Sequence, residues 1–306
     1  MSTFADDLTR GLRGRPKRIP SKYFYDARGA QLFEQICRLS AYYPTRAELD
    51  ILRRHGPDLA RVIGPDVDVI EPGSGAALKT RLLLSALDRV GLYVPVDVSR
   101  EQLHATAEAL RREYHALAVQ PVCADFTSTF EVPERRPGAR TVVFFPGSTI
   151  GNFEPIEAAV LLSRLARLCG PNGGVLIGVD LKKDPALLHR AYNDESGITA
   201  AFNLNVLVRA NVELGADFAL GRFRHYAFYD PREGRIEMTL VSLERQEVCV
   251  GGERFGFEAG EPLTTEYSYK YELGQFAELA TAAGLSAREA WLDPARLFAM
   301  LWLVPR

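Results

Sequence analysis

Four short stretches of this 306-residue chain combine glycine, acid and aromatic residues in a way that could hold a nucleoside. The first is Glu71-Pro72-Gly73-Ser74-Gly75, where two glycines let the backbone turn tightly and come close to a ligand. The second is Asp97, 24 residues beyond Gly73, a carboxylate able to accept from both hydroxyls of a ribose. The third is Asp125-Phe126: the acid can accept from an exocyclic amine, and the ring can pack on a base. The fourth is Gly147-Ser148-Thr149-Ile150-Gly151-Asn152, placed for the reacting end of the same molecule. That glycines merely turn the chain and acids merely cap helices accounts for any one of these, but poorly for all four.

Such residues need a scaffold that brings them to one edge, and the apolar pattern supplies it. Short apolar runs at Val67–Ile70, Tyr93–Val96, Leu117–Val122, Thr141–Phe145 and Gly174–Val179 read as strands. Helical stretches at Ala77–Val90, Arg100–His115 and Pro155–Leu168 lie between them. This alternation predicts βαβ units and a largely parallel sheet, with ligands at the carboxyl ends of the strands. All four stretches fall at such ends. Upstream, residues 28–60 read as helices broken near Tyr42-Tyr43-Pro44. Residues 182–271 interrupt the rhythm with helices at Pro185–Tyr192 and Ala200–Leu214, then strand-like stretches at Ile236–Leu243 and Pro262–Tyr271. A helix at Phe276–Ala283 and apolar runs at Ala287–Leu292 and Leu297–Val304 follow. The expected organisation is one sheet domain, 47–181 with 272–306, whose chain leaves to build a lid and returns. Residues 1–46 and 182–271 form the expected second domain.

A dinucleotide would require GxGxxG, but here leucine (Leu78) stands at the third glycine position. S-adenosylmethionine (SAM) has no pyrophosphate and needs no helix start built for one. Together with Asp97 and Asp125-Phe126, this favours SAM over a nicotinamide or flavin cofactor.

Composition narrows the partners. The net charge is −2, which argues against a polyanionic partner such as nucleic acid, and the basic run Arg10, Arg13, Arg15, Lys17 and Arg18 reads as a solvated arm. Cys37, Cys123, Cys169 and Cys249 form no CxxC pair, so neither a disulfide framework nor a metal site is expected. No apolar run is long enough for a membrane span, and the acidic N-terminus lacks the apolar core of a leader. A cytoplasmic monomer acting on a small molecule is the expectation.

Longer motifs then carry a resemblance. They are Lys22-Tyr23-Phe24-Tyr25-Asp26, Tyr42-Tyr43-Pro44-Thr45-Arg46, the Gly147–Asn152 stretch, Ala191-Tyr192-Asn193-Asp194, Phe202-Asn203-Leu204-Asn205-Val206-Leu207, Arg235-Ile236-Glu237-Met238 and Thr265-Glu266-Tyr267-Ser268. Over nearly its whole length the chain resembles the histidine-specific SAM-dependent methyltransferases of ergothioneine biosynthesis, which trimethylate the α-amine of L-histidine to hercynine. The resemblance implies a Rossmann-like class I methyltransferase sheet, of α/β class, with an inserted α+β substrate-binding domain. It implies that Tyr42, Asn152 and Tyr192 hold the amino and carboxylate groups, and that Glu266 and Ser268 address the imidazole. Met238 would line the pocket and Tyr25 close over cofactor or substrate. Gly73, Lys79, Asp97, Asp125 and Phe126 would be cofactor contacts.

These roles suit the residue types. Asn152 can donate and accept, tyrosine hydroxyls can do either, and Glu266 can accept an imidazole N–H. Tyrosine faces also suit a quaternary ammonium product. Outside the motifs, such tyrosines would read as amphipathic packing, Met238 as core filler and Glu266 as a solvated strand residue. His55, His104, His115, His189 and His225 match none of the motifs and read as structural or surface residues. Two positions depart from the family pattern: Pro72 stands where leucine is usual, and Tyr267 where a small apolar residue is usual. Alternation along a strand turns Tyr267 away from Glu266 and Ser268. Two alternatives stay open: a methyltransferase for another amino acid or small amine, and a non-catalytic SAM-binding protein.

Overall fold

The structure is a computed structural model that describes residues 3–75 and 77–306. Met1 and Ser2, in the segment read as lacking a leader, and Ala76, in the glycine run, lie outside the described residues. The chain divides into two compact units, Met1–Tyr43 with Lys183–Lys270, and Pro44–Lys182 with Tyr271–Arg306.

In chain order, helix α1 (Phe4–Arg13) opens on a capping box between Thr3 and Asp6 and is followed by a short strand, β1 (Lys17–Arg18). Helix α2 (Ala27–Arg38) starts where the Asp26 carboxylate caps the Gly29 N–H. Helix α3 (Tyr43–Ile63) has Pro44 in its first turn, where a missing N–H costs no hydrogen bond. The expected break between these helices therefore falls at residues 39–42.

The large sheet begins with β2 (Val67–Pro72), α4 (Leu78–Ala86), β3 (Val90–Asp97), α5 (Arg100–Glu113), β4 (Ala118–Val119) and β5 (Val122–Cys123). It continues with β6 (Arg140–Phe145), α6 (Pro155–Cys169) and β7 (Gly174–Asp180). The chain then makes α7 (Pro185–Tyr192), α8 (Ile198–Leu214), β8 (Phe223–Asp230), β9 (Arg235–Ser242), β10 (Gln246–Val250), β11 (Glu253–Phe257) and β12 (Pro262–Tyr269). It ends with α9 (Leu273–Ala282), β13 (Leu285–Leu292) and β14 (Phe298–Pro305).

The large sheet runs β13-β14-β7-β6-β2-β3-β4, with β5 also on β3. All its pairs are parallel except those made by β14, which lies antiparallel between β7 and β13. This is the largely parallel α/β sheet that the apolar pattern predicts, in the Rossmann-like class I methyltransferase order that the resemblance implies. The order reverses between β2 and β6, so a crevice opens at their carboxyl ends, where residues 73–75 and 146–152 lie. One face is sealed by Ile51, Leu59 and Ile63 of α3 and Leu83 of α4 against Val69, Phe144, Leu176 and Met300. On the other face Ile70, Val94 and Val96 pack with Phe126 and Phe130. Each such side chain contributes roughly 2 kcal/mol by leaving water, which fixes the strand ends that carry the polar residues.

Two expectations were displaced by local chemistry. The strand expected over Leu117–Val122 is two short pieces, because Pro121 cannot donate to a ladder. The helix expected to reach Val90 stops at Ala86, and Val90 opens β3 instead.

The other unit holds a four-stranded sheet, β1-β12-β9-β8, and a separate β10-β11 hairpin. The register of β12 on β9 shifts between Thr264 and Glu266, so Glu266 stands opposite Met238. Strand β8 and the hairpin are additions to the sequence reading; β8 carries Phe223, Tyr226, Phe228 and Tyr229, which blur its alternation.

Candidate active site

On the large sheet, the turn after β2 is built from backbone. Gly73 has φ +74° and its N–H donates to the Val96 carbonyl at 2.7 Å. A side chain at Gly73 would be strained and would meet the Phe126 ring at 3.4 Å. Phe126 is itself held edge-on by Phe145 and Phe153, at 5.6 and 6.4 Å between ring centres. Asp97 ends β3 half-buried; its Oδ1 accepts the Ser99 N–H at 3.0 Å, and its Oδ2 has no partner among the described residues. Asp125 is buried, and its Oδ1 accepts from the Thr127 N–H at 2.9 Å and the Thr127 hydroxyl at 2.5 Å.

After β6 the chain passes through Gly147 (φ +81°) and Ser148 (φ +55°) into a short turn, Thr149–Asn152. A non-glycine residue with positive φ is uncommon and has to be held. The Ser148 hydroxyl does this by accepting the Asp180 N–H at 2.9 Å. The Asn152 amide, at the end of the turn, makes no side-chain hydrogen bond among the described residues and so keeps both its donor and its acceptor. Lys79 is paired with the fully buried Glu48 at 2.5 Å, and Glu48 also accepts the Gly147 N–H at 2.8 and 3.0 Å. The lysine thus braces the loop that carries Asn152.

A nucleoside with a sulfonium tail fits this edge. A half-buried carboxylate with an open oxygen suits a ribose, an edge-braced phenyl ring suits a base, and a bare glycine turn leaves room beside it. Gly73, Asp97, Asp125 and Phe126 are the residues that would hold SAM.

In the other unit, the residues singled out from the sequence gather around β12. Tyr42 and Tyr192 meet edge to face at 6.2 Å, and Phe33 links Tyr42 to Tyr25 with ring centres 6.4 and 5.6 Å apart. The Tyr192 hydroxyl donates to Ser268 Oγ at 2.9 Å. The Lys270 ammonium, buried at 2% exposure, donates to Tyr192 at 3.0 Å and to Ser268 at 2.6 Å. Met238 is buried across the ladder from Glu266. Burial pushes the Glu266 carboxyl up to about 7, and the Lys270 charge pulls it partly back. That carboxyl accepts no hydrogen bond among the described residues. Burial, with nearby Tyr192, Cys37, Glu266 and Tyr25, holds the Tyr42 phenol well above its ordinary value, so it stays protonated at neutral pH.

Tyr267 does point the other way. Its ring is sandwiched by Arg235 at 3.6 Å and Arg18 at 4.2 Å, on the face opposite Ser268. Several of the motifs turn out to be braces. Asp194 caps α8 through the Ile198 and Thr199 N–H groups, and Asn205 ties that helix to Asp26 at 2.8 Å. Asn203 links the Thr239 carbonyl, the Thr265 hydroxyl and His225, whose other ring nitrogen meets the Tyr192 carbonyl. Burial lowers the His225 pKa, which keeps this link neutral.

A family model for SAM-dependent, histidine-specific methyltransferases matches residues 4–305. The chain belongs to that family. It is 43% identical over 300 residues to a Mycobacterium tuberculosis protein named histidine N-alpha-methyltransferase, covering 96% of this chain and 92% of that one. A Neurospora crassa protein, ergothioneine biosynthesis protein 1, is 34% identical over 289 residues, covering 90% of this chain and 32% of its own length. A Claviceps purpurea 4-dimethylallyltryptophan N-methyltransferase is 26% identical, covering 94% and 91%. The protein is therefore a SAM-dependent N-methyltransferase.

Three residues of this methyltransferase escaped the reading of its sequence. Glu48 lies inside a helix with no motif of its own; the only hint is remote, at Gly178, where any side chain would come within 2.2 Å of the Glu48 carboxylate. Glu71, noted only as part of the glycine loop, accepts from Thr80 and Tyr93, each at 2.7 Å, and ties β2 to α4 and β3. Lys270 could have been found: one residue past β12, it continues the i, i+2 series of Glu266 and Ser268.

Proposed function

We propose that this enzyme transfers methyl groups from SAM to the α-amine of L-histidine, three times, to give hercynine. The observation that carries this is Glu266. A half-buried carboxyl with no hydrogen-bond partner among the described residues calls for a donor, and the imidazole N–H of histidine is one. Ser268, two residues along β12, addresses the same ring, and Met238 packs beside it. Tyr42 and Tyr192 take the amino and carboxylate groups together with Asn152, and Tyr25 closes the aromatic wall.

SAM supplies a methyl group already activated by its sulfonium, so the protein's task is alignment and proton removal. Tyr42, held as a phenol, cannot serve as a resident base; it orients the amine lone pair by hydrogen bonding. The proton shed before each early transfer leaves through ordered hydroxyls or water near Tyr42, Asn152 and Tyr192. Tyrosine faces stabilise the amine as it becomes a fixed cation. On the large sheet, Gly73, Asp97, Asp125 and Phe126 bind the cofactor, while Lys79 acts through Glu48 and the Gly147 N–H.

The named substrate of the Claviceps relative is an indole amino acid, so a second reading is a methyltransferase for another aromatic amino acid. A panel of histidine, tryptophan, tyrosine and histamine with labelled SAM separates the two. Histidine should give the highest kcat/KM, and a preference for any of the others would overturn the histidine assignment. We propose further that the enzyme works as a cytoplasmic monomer without nucleic acid. The near-neutral charge and dispersed cysteines support this; no described helix is long and apolar enough to cross a membrane.

A further inference from the structure

Hydrogen-bond direction at Ser268 is dictated by its neighbours. Its Oγ receives the Tyr192 O–H at 2.9 Å and a Lys270 N–H at 2.6 Å. A hydroxyl has two lone pairs and one proton, so with both lone pairs committed the remaining bond is one that Ser268 donates. Lys270 is the origin of this polarity, since an ammonium has donors and no acceptor. It donates also to the Tyr192 oxygen at 3.0 Å, which takes up a lone pair there while the phenol proton goes to Ser268. Glu266 lies two residues earlier on the same strand face, roughly 7 Å along the chain, and when ionised it can only accept. A ring placed between them meets one acceptor and one donor.

We propose that Lys270 is a specificity-determining positioning residue: by fixing Ser268 as a donor beside the accepting Glu266, it makes the pocket demand a ring with one N–H and one bare nitrogen. Neutral imidazole in a single tautomer meets that demand. Indole and pyrrole, which have an N–H but no ring lone pair, leave the Ser268 proton without a partner. This rests on the reading that Glu266 and Ser268 face the substrate ring. Lys270 touches neither the ring nor the amine in this scheme; it acts through Ser268 and Tyr192.

The test compares kcat/KM for histidine, β-(pyrrol-3-yl)alanine and β-(pyridin-3-yl)alanine in the wild type, Lys270→Met and Lys270→Arg. The wild type should reject both analogues by on the order of 100-fold, mostly through KM, because each leaves one buried polar group unpaired. In Lys270→Met the freed lone pair lets the serine hydroxyl turn, so the penalty on pyrrolylalanine should shrink by about tenfold while that on pyridylalanine persists. Lys270→Arg, which keeps the donors, should restore the wild-type ratio. A purely structural lysine would lower all three substrates by one common factor, and that result overturns the proposal. If Lys270→Met does not fold, Ser268→Ala decides instead: deleting the unpaired proton should lift the pyrrolylalanine penalty, and its persistence overturns the proposal. Should the wild type accept pyrrolylalanine and pyridylalanine as readily as histidine, the imidazole reading fails and the role of Lys270 falls with it.

Discussion

The two units of this methyltransferase treat their inward-facing acids in opposite ways. On the large sheet, Glu48 and Glu71 are almost fully buried and partnered: one with Lys79 and the Gly147 N–H, the other with Thr80 and Tyr93. In the other unit, the half-buried Glu266 accepts no hydrogen bond among the described residues, and its carboxyl is pushed up to about 7 by burial. A partnered buried acid locks the backbone around it. An unpartnered one raises the free energy of the empty state and lowers it again when a donor arrives. The first arrangement suits loops that must keep their shape, the second a pocket that must choose its ligand.

Removing Glu266 should separate the two uses most sharply. Glu266→Ala is expected to lower kcat/KM for histidine on the order of 10²–10³-fold while leaving the thermal midpoint unchanged or raised, since no internal bond is lost. Steady-state kinetics beside a melting curve checks both; a large loss of stability would mean that this carboxyl is a brace after all.

Glu48→Ala should do the reverse. It strips Lys79 of its buried partner and leaves the Gly147 N–H unsatisfied, at a cost of about 3 kcal/mol by denaturant unfolding. Loss of SAM affinity by calorimetry should accompany it, because the loop bearing Asn152 is no longer held. Unchanged stability would dissolve the contrast between the two acids.

Glu71 gives a smaller, pH-dependent effect. Burial holds its pKa near 7, against an ordinary value of 4.5. The folded carboxyl keeps its proton where the unfolded one has released it. The stability it contributes is therefore complete below about pH 4.5 and is lost as pH rises through about 7. Glu71→Gln keeps an acceptor for Thr80 and Tyr93 and removes this slope, so the variant should gain up to about 3 kcal/mol relative to wild type between pH 5 and 8. Glu266 contributes a slope of the same sign, so some pH dependence remains. Parallel stability curves for the two proteins would count against a buried, proton-holding Glu71.

The smallest effect is expected at Tyr267. Its ring lies between Arg18 and Arg235, so Tyr267→Leu should cost about 1 kcal/mol of stability and leave histidine KM within twofold. A shift in substrate preference would place this side chain in the pocket.

The elements that carry the site were legible because their signals are local. The strands ending at Pro72, Asp97 and Phe145 are apolar runs closed by glycine, proline or acid, and the pattern alone placed Gly73, Asp97 and Gly147 at one sheet edge. Tyr267 was oriented correctly by period-two alternation. What the sequence withheld is long-range pairing. Glu48 meets a backbone N–H 99 residues away, and Lys270 meets a hydroxyl 78 residues away; neither has a periodicity that points to its partner. The β10–β11 hairpin was missed for a different reason: its strands are five residues long and mix charged with apolar side chains. Aromatic-rich β8 hid its alternation in the same fashion.

The central claim is the methyl acceptor, and mass spectrometry addresses it most directly. Purified enzyme is incubated with L-histidine and SAM carrying a labelled methyl group, and the product is fragmented to locate the label. The account predicts histidine bearing three labelled methyl groups, all on the α-nitrogen, with the imidazole unmodified. Label on the ring, or no labelled histidine from an enzyme that binds SAM, would contradict it.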